Sequence, residues 1–442
     1  LMNQEDGFVK SPYAVLPFLP RPCGVPSVRL SPRDSGALPV ELFPLPFEKV
    51  LNWPFYEFVK RDGRVKNKKT LSQAPRPGKG TAGRRGRQCG KKRDRVRQGR
   101  HMEKKDYLKR EVRHVDIKAI DAVPIVESMR HMSFSARDLA AAADLYDRML
   151  RDEDCAVILT IAGSTSAAGC MGIYADLVAH NMVDAVCATG ATVVDMDFFE
   201  ALGFRHYQGS AHVDDRELRR LYIDRIYDTY IDEEELQTCD RTIAEIADLL
   251  APRPYSSREF IREMGKYLET HSVKKNSLVQ LACENDVPVF CPAFSDSSAG
   301  FGLVLHQHRN PDRHVSIDSV KDFRELTEIK MAAETTGLLM IGGGVPKNFV
   351  QDTVICAEIL GKEVPMHKYA VQITVADVRD GACSSSTLKE AASWGKVDTS
   401  HEQMVFAEAT LALPLLASYA YHRGGWRKRN KRRFSKLFSG RG

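Results

Sequence analysis

From residue 102 onward, two hydrophobic rhythms alternate along the chain. Short unbroken apolar runs are separated by longer stretches in which apolar residues recur every three or four positions. The unbroken runs predict strands buried on both faces, and the helical spacing predicts helices that cover them. Ser135-Ala136-Arg137-Asp138 opens the first helix, with Leu139, Ala142, Leu145 and Leu150 on its apolar side. The run 155–161 (CAVILTI) predicts a strand. It ends in a turn of small residues, 162–169, that leads into a helix through Leu177 and Val178. A second unit repeats this order: His180 to Asp184, a strand over 185–188, the turn Thr189-Gly190-Ala191-Thr192, then Asp195 and Asp197 at the start of the next helix. Gln208-Gly209-Ser210 begins a polar, irregular insertion, and 215–270 is mostly helical and acidic. Further strands are expected over 287–293, 337–341 and 368–376, with helices over 320–334 and near 407–421. Alternation at about 30 residues per strand and helix predicts an α/β fold. The sheet would be doubly wound, mainly parallel and Rossmann-like, with helices on both faces. Ligands in such sheets sit beyond the carboxyl ends of the strands, so the predicted turns converge on one crevice.

Charge divides the chain. Residues 1–101 hold 22 Lys and Arg against 8 Asp and Glu, and residues 423–442 hold 9 against none. The net charge of +6 therefore leaves −17 for residues 102–422. An acidic body favours a cationic ligand, such as a polyamine, over nucleic acid. Pro-rich pieces and Arg- and Lys-rich runs make 1–101 read as a disordered extension, and 423–442 as a basic disordered tail. Because enzyme-like sequence begins at Met102, the native start is expected there, and 1–101 need not be native. The ten cysteines lie singly, with no CxxC pair, which disfavours a zinc ribbon and points to a reducing cytoplasm. No metal site is expected. No apolar run approaches the roughly 20 residues of a membrane span.

Three stretches carry candidate chemistry. The turn Gly163-Ser164-Thr165-Ser166-Ala167, between a strand and a helix, offers free N–H groups to a phosphate, although the same residues also suit a plain tight turn. Three glycines, 342–344, directly after a predicted strand allow close passage of a ligand. Lys396 follows Trp394 and Gly395. A lysine attacks only as a neutral amine, and its free pKa of about 10.4 demands desolvation or a nearby cation. The ordinary alternative is a lysine stem resting on an indole at the surface.

The segment Glu390 to Lys396 resembles the catalytic-lysine motif of the deoxyhypusine synthase family, to which homospermidine synthases are related. The resemblance continues through 180–184 (HNMVD), the Thr189-Gly190 turn, 287–300 and the triple glycine. It covers about 102–421, with the segments in family order. It implies NAD as cofactor, held by Gly163, Ser164, Thr165, Ser166, Ala167, Thr189, Gly190, Ala191, Asp195, Asp296, Gly343, Val375, Ala376, Glu408 and Ala409. It implies Lys396 as catalytic nucleophile in an apolar pocket, Trp394 as the wall of an amine tunnel, and Glu390, Asp195, Asn348 and Gly381 on the substrate side. Departures cluster at the amine end. Val194, Phe301 and Cys383 stand where family carboxylates are expected, Asn348 stands where the family has a catalytic histidine, and Asp195 and Glu408 exchange one acid for the other. The implied reaction is oxidation of a polyamine such as spermidine, capture of the aminobutyl group as a Schiff base on Lys396, and transfer to an acceptor amine. The implied assembly is a homotetramer.

Four alternatives stay open at this point. The acceptor is a small amine, as in homospermidine synthases, or a protein lysine, as in deoxyhypusine synthase proper. The chain is a degenerate NAD-binding homologue. It is a sirtuin-type deacylase, which the missing CxxC disfavours. Or it binds nucleic acid through its basic ends, which the acidic body disfavours.

Overall fold

The computed structural model describes residues 102–440. The expectations for 1–101 lie outside the described residues.

Six strands build one parallel sheet: β1 (Cys155–Ile161), β2 (Ala185–Ala188), β3 (Val289–Phe290), β4 (Thr335–Ile341), β5 (Tyr369–Thr374) and β6 (Glu402–Phe406). Their spatial order is β6-β5-β4-β1-β2-β3, and every neighbouring pair is parallel. The chain runs outward from β1 through β2 to β3, then returns to lay β4 against the other side of β1. This is the doubly wound topology, and its switch point falls between β1 and β4. β1 is central and all seven of its residues are buried, hence its unbroken apolar sequence.

The two faces of β1 feed two cores. Val157, Leu159 and Ile161 pack with Leu139, Leu145 and Met149 of the helix Ser135–Arg151 and with Leu413 and Leu416 of the helix Ala409–Arg423. Ala156 and Ile158 point the other way, into a cluster with Phe290, Leu326, Ile329, Leu338 and Val350. Each fully buried large side chain contributes about 1.5–3 kcal/mol relative to exposure.

Several expectations change. The insertion after Gln208 is not irregular: His206–Gln208, Ile223–Ile226 and Thr229–Asp232 form a small antiparallel sheet, folded over Leu218 and Tyr230. The strand expected over 287–293 is only Val289–Phe290, because Pro288 and Pro292 bracket it. β6 had no expected counterpart. The basic tail is ordered through residue 440. Gly425–Lys428 and Phe434–Phe438 are short helical turns, and Phe434 and Phe438 join the second core. The Arg429 side chain is 4% exposed and pairs with Asp184. Two phenylalanines and one paired arginine thus anchor a segment whose other charges face solvent. Among the described residues, no helix is long and apolar enough to cross a membrane.

Candidate active site

The carboxyl ends of β1, β2, β4 and β5 are laced together. Thr189 N–H donates to the Ile161 carbonyl (3.1 Å), Ala162 N–H to Ile341 (2.9 Å) and Gly342 N–H to Ile373 (2.8 Å). At the switch point the chain leaves β1 through Gly163, whose φ of +83° is left-handed, and a Cβ there would meet open space. Ser166–Cys170 then forms a wide helical turn before the helix Met171–Ala179. Two hydroxyls of this turn are committed internally. Thr165 pairs with the Tyr174 hydroxyl (2.6 Å), and buried Ser166 faces the Met196 sulfur (2.7 Å). Ala167 is buried, and Ser164 is half-buried. What the turn can offer a ligand is therefore chiefly backbone.

Two glycines set the approach of neighbouring turns. A Cβ on Gly190 would lie 2.5 Å from both the Cβ and Oγ of Ser297, so only glycine lets the β2 turn meet the turn after β3. A Cβ on Gly343 would lie 2.4 Å from the Cα of Ser384, so only glycine lets the β4 turn pass beneath 382–386. Gly343 also precedes the helix Gly344–Gln351, whose first N–H donates to Ser384 Oγ (3.0 Å).

Thr189 and Thr192 share a hydroxyl contact (3.2 Å), and Thr192 donates to the Gly163 carbonyl (3.3 Å), which joins the first two turns. Ala191 starts the helical turn Ala191–Phe198 that carries Asp195. The Asp195 carboxylate accepts the Ser298 N–H (2.7 Å). Burial, aided by the nearby charges of Asp240 and Asp296, pushes its pKa up to about 6 despite that bond. Asp296 is exposed at the mouth. Asp197 points away from the crevice and caps the helix Leu278–Glu284 through Ser277 Oγ and two N–H groups. Val375 is 74% exposed beyond β5, with Ala376 beside it. Glu408 caps the helix Ala409–Arg423 by accepting from Thr410 and Leu411 N–H, and this helix packs on the Ser166–Cys170 turn. The expected cofactor residues lie in the segments that follow the six strands of the sheet.

A second cluster surrounds Lys396, whose backbone lies by the amino end of β5. Lys396 is 13% exposed at its side chain, and its Nζ lies 2.5 Å from Asp352 Oδ1. Asn348, one helical turn before Asp352, donates to Oδ2 (3.0 Å). The Trp394 ring centre lies 5.2 Å from Nζ, in cation–π range, but the residue is 64% exposed. The expected apolar pocket is therefore corrected: the lysine has an open indole on one side and a carboxylate on the other. The segment is positioned by backbone bonds, since His367 N–H donates to the Lys396 carbonyl (3.0 Å) and Lys396 N–H to Ala391 (3.1 Å). Gly381 (φ +76°) and Glu390 are exposed on the adjoining loop and helix.

Lys347 is fully buried and donates to the Ser386 carbonyl and hydroxyl. Desolvation pulls its pKa down to about 8, against the pull of Glu390 and Cys383 and with the help of the Lys396 charge. The positions where family carboxylates were expected are dispersed. Val194 is buried in the core, Phe301 is 69% exposed on the helix Ser298–Arg309, and Cys383 is exposed. Asp352 and Lys347 are the contacts that sequence reasoning missed. Lys347 sits in the GGGVPK run. Asp352 sits at i+4 from Asn348, and that spacing is its only local signal.

The model of the deoxyhypusine synthase family matches residues 124–420. The chain belongs to the deoxyhypusine synthase family. A deoxyhypusine synthase-like protein of Coxiella burnetii is 71% identical over 336 residues, covering 76% of this chain and 96% of its own. One from Caulobacter vibrioides is 65% identical over 340 residues, covering 76% and 93%. One from Elusimicrobium minutum is 58% identical over 329 residues, covering 74% and 88%. All three matches span most of the relative's length, and the span of the family model takes in both clusters of the site.

Proposed function

We propose that this protein is an NAD-dependent transferase. In this reading it moves an aminobutyl group from a polyamine such as spermidine to an acceptor amine, through a Schiff base on Lys396. Family membership supports a transferase. The observation that carries the finer reading is Lys396, largely buried and held against the Asp352 carboxylate.

The residues present suit a dinucleotide. Gly163 leaves open space at the β1 turn, Gly343 puts a helix N-terminus beside it, and Asp195, Asp296 and Glu408 are acids of the kind that hold ribose hydroxyls. The nicotinamide would take and return the hydride that makes and removes the imine. The chain's own work is to orient the amine, exclude water and present Lys396. Val375 and Ala376 border the nicotinamide end in this reading. Trp394 lines the amine path, and Glu390, Asp195 and Gly381 flank it. Each missing carboxylate removes a charge-assisted bond worth roughly 1.5–3 kcal/mol, so the amine preference differs from that of a family member with all of them.

A homotetramer is part of the proposal. The exposed Trp394, Val375 and Leu411 supply apolar surface for a second copy to cover. A cytoplasmic setting is also part of it, and the eight free cysteines among the described residues fit a reducing compartment. The test is product analysis with spermidine and NAD, in the presence of putrescine or of a candidate acceptor protein. Release of 1,3-diaminopropane with an aminobutylated product supports the reading and names the acceptor class. NAD-independent release, or none with any polyamine, contradicts it.

A further inference from the structure

The Lys396–Asp352–Asn348 arrangement has a consequence for proton movement, and it rests on the reading of Lys396 as nucleophile. Trading one amine for another at an imine requires protons to leave the attacking nitrogen and reach the departing one. Asn348 stands where a histidine was expected, and an amide cannot carry a proton at ordinary pH. The Lys347 amine is committed to Ser386. Glu390 is exposed, and its backbone N–H, not its carboxylate, bonds to Thr387. Trp394 can only donate. Among the described residues, the carboxylate in ion-pair contact with Nζ is that of Asp352. Asn348 fixes its other oxygen at 3.0 Å, so Oδ1 is aimed at the lysine.

We propose that Asp352 carries the proton between Lys396 and the exchanging amine, with Asn348 positioning it. Asp352 Oδ1 takes a proton from the Lys396 ammonium. The neutral Nζ adds to the iminium carbon of the polyamine oxidised by the nicotinamide cofactor, forming the N–C bond. A proton then passes from the Lys396 nitrogen to the other nitrogen of this adduct. The second C–N bond breaks, its electron pair leaves with the amine, and a protonated imine remains on Lys396. The departing amine takes the proton held by Asp352 and leaves as an ammonium. Asp352 ends as a carboxylate and no electrons are gained or lost, so this half-reaction needs no redox partner. Transfer to the acceptor runs the same steps in reverse. The i,i+4 geometry of Asn348 and Asp352 on one helix face makes the pair a built unit: the residue that cannot move protons holds the one that can.

The experiment isolates amine exchange from hydride transfer. The full chain is loaded at Lys396 with 4-aminobutanal, without NAD, and the imine is trapped by borohydride and measured by mass spectrometry. The loaded enzyme is then mixed with putrescine, and loss of the trappable imine is timed in H2O and D2O. D352N is expected to form the imine but to exchange it roughly 100-fold more slowly, in line with the usual contribution of a positioned acid–base group. It should also lose the solvent-isotope dependence seen in the natural chain, and D352E should recover part of the rate. N348A keeps the carboxylate and is expected to slow exchange less than D352N while retaining the isotope dependence, so it decides the matter if D352N does not fold. Exchange in D352N within about threefold of the natural chain, with the isotope dependence intact, would overturn the role of Asp352 while leaving Lys396 as nucleophile. Loss of the isotope dependence in N348A would overturn it equally. Absence of any trappable imine in the natural chain would overturn the Schiff-base reading, and this inference with it.

Discussion

Replacing Arg429 by Met removes a guanidinium that bonds three oxygens and ties buried structure together. Its Nη2 donates to Asp184 Oδ2 (2.5 Å) and to the Cys155 carbonyl (3.0 Å), and its Nη1 donates to the Asn181 carbonyl (2.6 Å). The side chains of Arg429 and Asp184 are 4% and 1% exposed. In R429M the Asp184 carboxylate keeps one donor, the Val157 N–H at 2.7 Å, and loses its countercharge at the start of the central strand. Breaking one side of a buried pair costs about 3–5 kcal/mol, most of it from the charge left behind. For a body of this size that lowers Tm by roughly 10 °C, at about 2–4 °C per kcal/mol. The double variant R429M/D184N removes the stranded charge and is expected to recover about half of the loss. Differential scanning calorimetry of the three chains checks this. A Tm for R429M within about 2 °C of the natural chain, or a double variant no better than the single, would refute the reasoning. The last segment would then be an ornament on the fold, not part of its core.

Two further outcomes follow from the site. G190A forces its new Cβ against Ser297 at 2.5 Å and pushes the β2 and β3 turns apart. NAD affinity by calorimetric titration is expected to fall at least about tenfold, which is 1.4 kcal/mol, with the far-UV circular dichroism unchanged. Asp195 has a folded-state pKa of about 6 against an ordinary 3.8, so the folded chain binds more protons between those values. Its contribution to stability is greatest below pH 4 and is lost as pH rises to 6, by up to about 3 kcal/mol. Urea unfolding across pH 4–7 should therefore give a falling difference between the natural chain and D195N, and a flat difference would show that Asp195 is well solvated.

Much of the fold was legible because β1, β2, β4 and β5 lie inside the sheet. A strand covered on both faces is mostly apolar, so its sequence announces it. β6 sits at the edge with only Val405 fully buried, and Glu402-Gln403-Met404 reads as loop. The tail was hard to read because its dense charge hides three anchoring side chains, Phe434, Phe438 and Arg429. In the site, glycines and small residues marked the turns because backbone proximity excludes a side chain, as at Gly190 and Gly343. The partner of Lys396 left no such mark. Asp352 reaches it only after β4 and its helix are folded beside the segment after β5, and no local pattern encodes that meeting.

The most direct test of the central claim is covalent capture. The full chain is incubated with NAD and spermidine, treated with borohydride and weighed intact, beside Lys396→Ala. The account predicts an aminobutyl-sized increase that requires NAD, maps to Lys396 and vanishes in the variant. An adduct that persists in Lys396→Ala, or no adduct while polyamine is still turned over, would contradict it.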